Sequence, residues 1–419
     1  MIGGKRLRVD EADEAHRRYR LLLIASGLDG TDVSENAVAY DWASRLASRH
    51  DVTILTYCKR ERHSARDQIP GVRFVEWKEW PLLNRARDLN NLMQPYYLGF
   101  YVGVRRWLRR ALERGERFDI AHQLTPVAMR YPCPAVGLLD HVIVGPLGGA
   151  LETPPGFTGE MAAAPMYTRL RELDRWRFKH DPILRRSMSE ASAVLGVAPY
   201  VEDILAAIPL RRFEAMSEHG LTGLPPARPL RERDPGELRC IYVGRLIRSK
   251  GARDAIRALA QLDDLPNVTL DIVGDGEDRA RCEAEVKELG LGERVRFHGW
   301  LTKSEVSNRY LESDALVFPS FREPSGRVLL EAMSYGLPVV AADYGGPGAV
   351  IDAEVGVSVP CGEPVQYARD ISCALRDLAN DPPAASRLGA AGRRRLELQY
   401  LWPAKIDWLE RLYAEVLRS

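Results

Sequence analysis

"FREPSGRVLLEAMSYGLPVVAADYGG", residues 321–346, decides how this chain folds. Just before it, "ALVFPS" is a short apolar run, as expected of a strand buried on both faces of a parallel sheet. "FREPSG" interrupts it with polar residues, Pro324 and Gly326. "RVLLEAMSYG" then carries apolar residues at helical spacing, and "PVVAAD" is a second buried strand. A strand, loop, helix and strand in so few residues form a right-handed crossover in a parallel sheet. Glu323 and Glu331 stand in this unit with seven residues between them. Glu331 is flanked by Val328, Leu329, Leu330, Ala332 and Met333, which suggests a buried helix, and a buried carboxylate needs hydrogen-bond donors. The vicinal hydroxyls of a ribose would serve, with Glu323 placed for the hydroxyls of a second sugar. Backbone N–H groups at the helix start, near Gly326 with Ser325 as cap, favour an anion or sugar hydroxyls. An ordinary ion pair between Glu331 and a nearby arginine fits the same spacing.

Outward from this stretch, the second half alternates regularly. Strands are expected at "LRCIYVG", "VTLDIVG", "VRFHGW", "ALVFPS" and "PVVAAD", with helices "ARDAIRALAQL", "EDRARCEAEVKEL", "KSEVSNRYLES" and "RVLLEAMSYG" between them. That is an open, doubly wound α/β sheet, whose ligands bind beyond the carboxyl ends of the strands. The strand-end loops carry the chemistry. In "YVGRLIRSKG", Gly244 lets the backbone approach a ligand, while the planar fork of Arg245 and the compact charge of Lys250 suit a diphosphate. The loop is no P-loop, because G-x-x-x-x-G-K-[ST] is absent. A solvated turn is the plainer alternative. "VGDGEDR" places Gly274 in a turn. Asp275, Glu277 and Asp278 are conceivable metal ligands, but a turn opening a helix fits the pattern better. "FHGW" brings His298 to another strand end, where the backbone touches a base or simply packs.

The first half shows the same rhythm less clearly. "RLLLIAS" and "DVTILTY" are strands around the helix "SENAVAYDWASRLASRH", with Ser34 as N-cap and Val38, Trp42 and Leu46 on one face. "DIAHQLTP" ends a strand at His122. "ASGLDGTDVSE" and "VGPLGGA" are glycine loops with Gly27, Gly30, Gly145, Gly148 and Gly149, and neither fits G-x-G-x-x-G. "NLMQPYYLGFYVGVRRWLRRALERGERF" mixes aromatics with arginines. It suits an anionic membrane surface through residues 96–118, or an amphipathic helix whose aromatics pack inward. The proline-rich, charged stretch 210–238 joins the halves. We therefore expect an N-terminal domain over 1–210, a second over 211–399, and a final amphipathic helix in 400–419.

With 419 residues, two domains are the natural division. Lys and Arg number 59 against 58 Asp and Glu, so no bulk field draws the chain to nucleic acid. Cys58, Cys133, Cys240, Cys282, Cys361 and Cys373 are scattered without a C-x-x-C pair, as in a reducing compartment. The charged start reads as no signal peptide, and no apolar run reaches about 18 residues. A soluble cytoplasmic protein is expected, with membrane association on the cytoplasmic face if residues 96–118 meet lipid.

"GRLIRSKG", "VGDGEDR", "FHGW" and "VFPSFREPSGRVLLEAMSYGLPVVAAD", in this order, resemble the retaining glycosyltransferases of family 4. The resemblance covers nearly the whole second half, and the first half only in outline. "YLWPAKIDWLERLY" is also similar to that family's last helix, which crosses back to the first domain. The resemblance implies a GT-B fold: two Rossmann-like, doubly wound domains facing a central cleft. It implies a nucleotide-sugar donor as co-substrate, no metal and no further cofactor. The acceptor would be a carbohydrate, a lipid-linked intermediate or a small molecule. By the same resemblance Arg245 and Lys250 hold the diphosphate, Glu331 the ribose, and Glu323 lies by the donor sugar. The backbone of Ser325, Gly326, Arg327 and Val328 faces sugar and phosphate, and the loop Gly27 to Gly30 lies near phosphate and acceptor. Two departures stand out. The family often has His-x-His where this chain has His122-Gln123-Leu124, which bears on a catalytic role for His122. "EPSGR" replaces the commoner Glu-Gly-Phe-Gly. A sugar-nucleotide epimerase or hydrolase, and a catalytically silent GT-B nucleotide-binding protein, are the alternative functions.

Overall fold

The computed structural model describes residues 17–32, 34–58, 64–78, 96–161, 165–228 and 232–419, and all their side chains except those of 58 and 165–172. The chain forms two compact units. The first comprises Met1–Ala150, Pro165–Glu218 and Lys405–Ser419, and the second Leu151–Ala164 and His219–Ala404. The sequence places one division near residue 210. The structure carries the first unit on to Glu218, because Phe213–Ala215 adds an edge strand to its sheet. It also gives Leu151–Ala164 to the second unit, an excursion that local patterning does not reveal.

In the first unit seven parallel strands run β1 (Arg20–Ala25), β2 (Asp51–Cys58), β3 (Arg73–Lys78), β4 (Ile120–Thr125), β5 (Val142–Leu147), β6 (Ala193–Gly196) and β7 (Phe213–Ala215). Their spatial order is β3-β2-β1-β4-β5-β6-β7. Helices α1 (Glu35–Arg49), α2 (Tyr96–Glu113), α3 (Pro165–His180), α4 (Pro182–Ser189) and α5 (Tyr200–Leu205) connect them. β1 and β5 are apolar runs, and with β4 they are buried almost throughout, as strands covered on both faces must be. Ser34 caps α1 by accepting the Asn36 N–H, and Val38, Trp42 and Leu46 are buried. Residues 91–95, at the start of the aromatic stretch, lie outside the described residues. From Tyr96 on, the aromatic face of α2 turns inward. Tyr97, Phe100, Val104 and Leu108 are buried, and Arg105 donates to the carbonyls of Pro134 and Val136. The outward face is left with Leu98, Arg106, Arg109 and Arg110, so core packing accounts for the aromatics.

The second unit has six parallel strands: β8 (Leu238–Val243), β9 (Val268–Val273), β10 (Val295–Gly299), β11 (Ala315–Phe318), β12 (Val339–Ala342) and β13 (Gly356–Val359). They are ordered β10-β9-β8-β11-β12-β13. Around them lie α6 (Ala252–Leu259), α7 (Arg279–Glu288), α8 (Lys303–Glu312), α9 (Arg327–Ser334), α10 (Gly345–Val350), α11 (Pro364–Asn380) and α12 (Pro382–Gln399). The last helix, α13 (Trp402–Arg418), belongs to the first unit from Lys405 onward. The strand order of each sheet reverses once, at β1/β4 and at β8/β11, and such switch points open a crevice at the carboxyl ends of the two strands. Among the described residues no helix is long and apolar enough to cross a membrane.

Candidate functional site

The loops that follow β8 and β11 flank the switch point of the second sheet, and they hold most of the residues the sequence singles out. Gly251 ends a one-turn 3-10 segment, Arg248–Lys250, in the left-handed region at φ +78°. A β-carbon there would collide with the Pro319 carbonyl, so only glycine brings this loop against the end of β11. The Ser320 hydroxyl adds a bond to the Ser249 carbonyl at 3.2 Å. The approach delivers the Lys250 ammonium to the Glu323 carboxylate, both largely sheltered. The other Glu323 oxygen accepts the N–H of Gly326 at 3.2 Å and of Ser325 at 3.5 Å. Helix α9 therefore starts differently from expectation. Gly326 is its N-cap with no side-chain cap of its own, and Glu323, not Ser325, takes the preceding N–H groups. The first N–H groups of α9, on Arg327 and Val328, have no intrahelical acceptor and carry the positive end of the helix dipole.

Glu331 corrects a second expectation. The helix buries Leu329, Leu330, Ala332 and Met333, but Glu331 lies on its open stripe with Arg327 and Val328. Its side chain is 30% exposed and pairs with Arg327, 50% exposed, at 3.1 Å. Such a pair is worth only about 0.3–0.5 kcal/mol, so a ligand displaces it cheaply. The stacked rings of Tyr310 and Tyr335 lie 5.4 Å apart, centroid to centroid. The Tyr310 hydroxyl is buried without a hydrogen-bond partner, and burial, then the nearby Glu331 charge, holds its proton on far above the usual range. No spacing in the sequence marks Tyr310.

Arg245 is exposed and unpaired among the described residues. Gly244 and Gly274 touch backbone to backbone, since a β-carbon on Gly274 would meet the Gly244 carbonyl. The loops after β8, β9 and β10 are laced by Leu246 N–H to Asp275 O at 2.9 Å and Gly274 N–H to Gly299 O at 2.8 Å. Asp275 accepts from its neighbour Gly276 and from Arg279 at 2.9 Å. The His298 side chain points to Asp271, Nε2 to Oδ1 2.7 Å, so any contact with a ligand at this strand end falls to the backbone. Gly345 and Gly346, at the end of the opening stretch, close on the Glu323 loop. The N–H of Gly346 bonds the Glu323 carbonyl at 2.9 Å, and neither glycine leaves room for a side chain.

The remaining candidates sit in the first unit. His122 is buried in β4 with both ring nitrogens engaged. Nε2 bonds the Gly145 carbonyl at 2.8 Å, and Nδ1 bonds the Tyr413 hydroxyl of α13 at 2.7 Å. A carbonyl only accepts, so Nε2 carries the proton and Nδ1 accepts from Tyr413. Burial pushes the ring down to about 4, against the smaller opposing effect of the Gly145 bond. The ring is thus neutral with both nitrogens engaged, and it ties β4 to β5 and to α13. The Gly27–Gly30 loop is packed against neighbouring side chains. The Gly30 N–H is taken by Gln68 at 2.7 Å, and the Asn36 amide fills the space over Gly27. Asp29 accepts from Thr31 and Gln68, Asp32 from Ser34 and Asn36, and Glu35 takes the Val127 N–H.

Residues 228–395 match the family described as glycosyl transferases group 1. Over 391 residues the chain is 29% identical to a glycogen synthase of Mycobacterium tuberculosis, covering 89% of this chain and 88% of the relative. It is 35% identical over 169 residues to the lipopolysaccharide core biosynthesis glycosyltransferase LpsD of Rhizobium meliloti, covering 40% and 46%. Among solved structures it is similar to Anabaena HepE in complex with UDP and glucose. The TM-score is 0.56 at 17% identity, over 96% of this chain and all of that one. The fold is GT-B, and the second unit is the part that resembles the group 1 glycosyltransferases in sequence.

Proposed function

We propose that this chain is a retaining glycosyltransferase that moves a hexose-type sugar from a nucleotide-diphosphate sugar to an acceptor hydroxyl. One observation carries the proposal. Lys250, Glu323 and the unfilled start of α9 meet at the switch point of the second sheet, with the loosely held Glu331 one turn further along the helix. Lys250, Arg245 and the N–H groups of Arg327 and Val328 would stabilise the leaving diphosphate. Glu331 would exchange Arg327 for the ribose hydroxyls, and Glu323 would accept from hydroxyls of the donor sugar. The acceptor oxygen bonds to the anomeric carbon on the face from which the diphosphate departs. The anomeric carbon–phosphate oxygen bond breaks, and the acceptor's proton passes to the leaving phosphate. This needs neither a protein base, consistent with a structural His122, nor a metal. UDP is the first nucleotide to try, because HepE was solved with it. The relatives named above suggest a carbohydrate or lipid-linked acceptor, and a small-molecule acceptor suits the same chemistry.

Calorimetric titration with UDP, GDP, ADP and dTDP, in chelator, tests the donor site. One nucleotide should bind, and Glu331→Ala should weaken that binding about tenfold or more. Binding by none of them would overturn the assignment. Lys250→Ala should cost turnover at least about 100-fold, as loss of an oxyanion donor does. Turnover within a few-fold of wild type would remove Lys250 from the leaving-group role.

A further inference from the structure

Leu151–Ala164 lies in the first half of the sequence but packs with the second unit. Its 3-10 turn, Pro155–Glu160, is seated by three contacts. Gly156 passes so close to the Gly362 carbonyl that a β-carbon would collide. Phe157, fully buried, stacks on Phe321 with ring centroids 4.2 Å apart and meets Tyr367 edge-on at 5.6 Å. Glu160 accepts from Arg248 Nε at 2.6 Å and from Arg257 Nη1 at 3.1 Å. The other two guanidinium nitrogens of Arg248 bond Asp254 at 2.6 and 2.9 Å. Its carbon lies 5.5 Å from the Phe157 ring centroid and 5.0 Å from that of Phe321.

Arg248 opens the turn that ends in Lys250, and all three of its nitrogens are engaged. Asp254 alone would neutralise it. The second carboxylate belongs to a balanced set, in which Arg248, Arg253 and Arg257 meet Asp254, Glu160 and Glu285. Burial raises the Glu160 carboxyl, but Arg248 and Arg257 outweigh it and hold the group below the usual carboxylate range, so it is ionised at neutral pH. No charge on Arg248 is left over for an anion, and its geometry is fixed from both sides.

We propose that Glu160 is a positioning residue of the phosphate loop: it clamps Arg248 and thereby fixes where Lys250 meets the donor diphosphate. The proposal rests on Lys250 as a diphosphate ligand. It means that a segment from the first half of the sequence, 88 residues before Arg248, completes the donor site.

A double-mutant cycle on the full-length protein, read by calorimetric affinity for UDP, tests it. If another of the four nucleotides binds instead, it replaces UDP. Glu160→Gln should weaken UDP about tenfold in the wild-type background, as expected for one charge-assisted bond lost at a distance from the ligand. In the Lys250→Ala background it should change affinity less than about twofold. Uridine, which lacks the diphosphate, should bind all four proteins equally. An equal loss in both backgrounds, no loss, or a parallel loss for uridine overturns the positioning role. If Lys250→Ala itself binds UDP like wild type, the underlying assignment of Lys250 fails. If Glu160→Gln does not fold, Glu160→Asp replaces it, with a smaller loss that must again vanish in the Lys250→Ala background.

Discussion

Replacing His122 with glutamine separates a structural histidine from a catalytic one. In the folded protein the ring is buried and neutral, and its pKa falls from an ordinary 6.5 to about 4. The unfolded chain therefore binds a proton at this site between these values and the native protein does not, so stability is lost as pH falls through that window. Each unit of pKa is worth about 1.4 kcal/mol, so His122 withdraws about 2 kcal/mol of stability between about pH 7.5 and about pH 5. The loss saturates near the folded value at about 3 kcal/mol. Glutamine cannot titrate. His122→Gln lowers stability at neutral pH, because the bonds to Tyr413 and Gly145 are disturbed. It should also flatten the pH dependence by that same ~2 kcal/mol. Urea unfolding at the two pH values, wild type against variant, reads the difference, and all other titrating groups cancel. Parallel pH profiles within about 0.5 kcal/mol would refute the buried neutral ring. So would a turnover profile whose limb near the ordinary histidine value disappears in the variant.

Gly251→Ala forces a β-carbon into the Pro319 carbonyl at φ +78°. It should cost at least about 1–2 kcal/mol in thermal unfolding and weaken diphosphate binding, and an unchanged melting temperature would contradict the close approach. Glu331→Ala should leave stability within about 0.5 kcal/mol, since it breaks only an exposed pair, while nucleotide affinity falls by about tenfold or more. Arg327→Ala should leave that affinity unchanged or tighter by calorimetry, and a loss equal to that of Glu331→Ala would make Arg327 a ligand instead. Lys405 is fully buried, with Nζ 2.5 Å from the Ser217 carbonyl and 5.0 Å from the Trp42 ring centroid. Burial lowers it from 10.5 to about 7, so the unfolded chain holds the extra proton and stability rises with pH between those values. Lys405→Met should remove that rise in denaturant unfolding, and a rise of the same size in the variant would assign it elsewhere.

What the sequence revealed follows from how each element is buried. β8, β9, β11 and β12 are near-continuous apolar runs, and α6 and α9 carry strong helical spacing, so the second sheet was legible up to Ala342. β3, with its arginine, glutamate and lysine, and the three-residue β7 lie at sheet edges, where one side needs no apolar cover. α12 hides behind breakers. Pro382 and Pro383 fall in its first turn, where no N–H is needed, and Gly389 is required because it touches the Gly336 carbonyl. Lys250 and Glu323 were legible because each ends a strand-loop motif. The exposure of Glu331 was not. Its neighbours in sequence are apolar, but its neighbours along the helix stripe are Arg327 and Val328. Glu160 and Tyr310 meet the site only through long-range packing, which no local pattern encodes.

The two sheets share the order 3-2-1-4 around their switch points, yet the chain uses the two crevices differently. Topology supplies a place for a ligand, and the donors left unsatisfied there decide which ligand. At β1/β4 the loop takes up its own donors: Asp29, Asp32 and Gln68 accept from Thr31, Asn36 and Gly30. At β8/β11 the carboxylates of Glu160 and Asp254 are spent on Arg248, set back from the opening in the core. The opening keeps a cationic side chain at Arg245, a lysine paired with Glu323 among the described residues, and a helix start whose first N–H groups have no intrahelical acceptor. An anion bound at the second crevice gains charge-assisted bonds by displacing one carboxylate contact. The second crevice is therefore the one proposed to take the donor diphosphate, because the donors it leaves open are a guanidinium, an ammonium and backbone N–H groups.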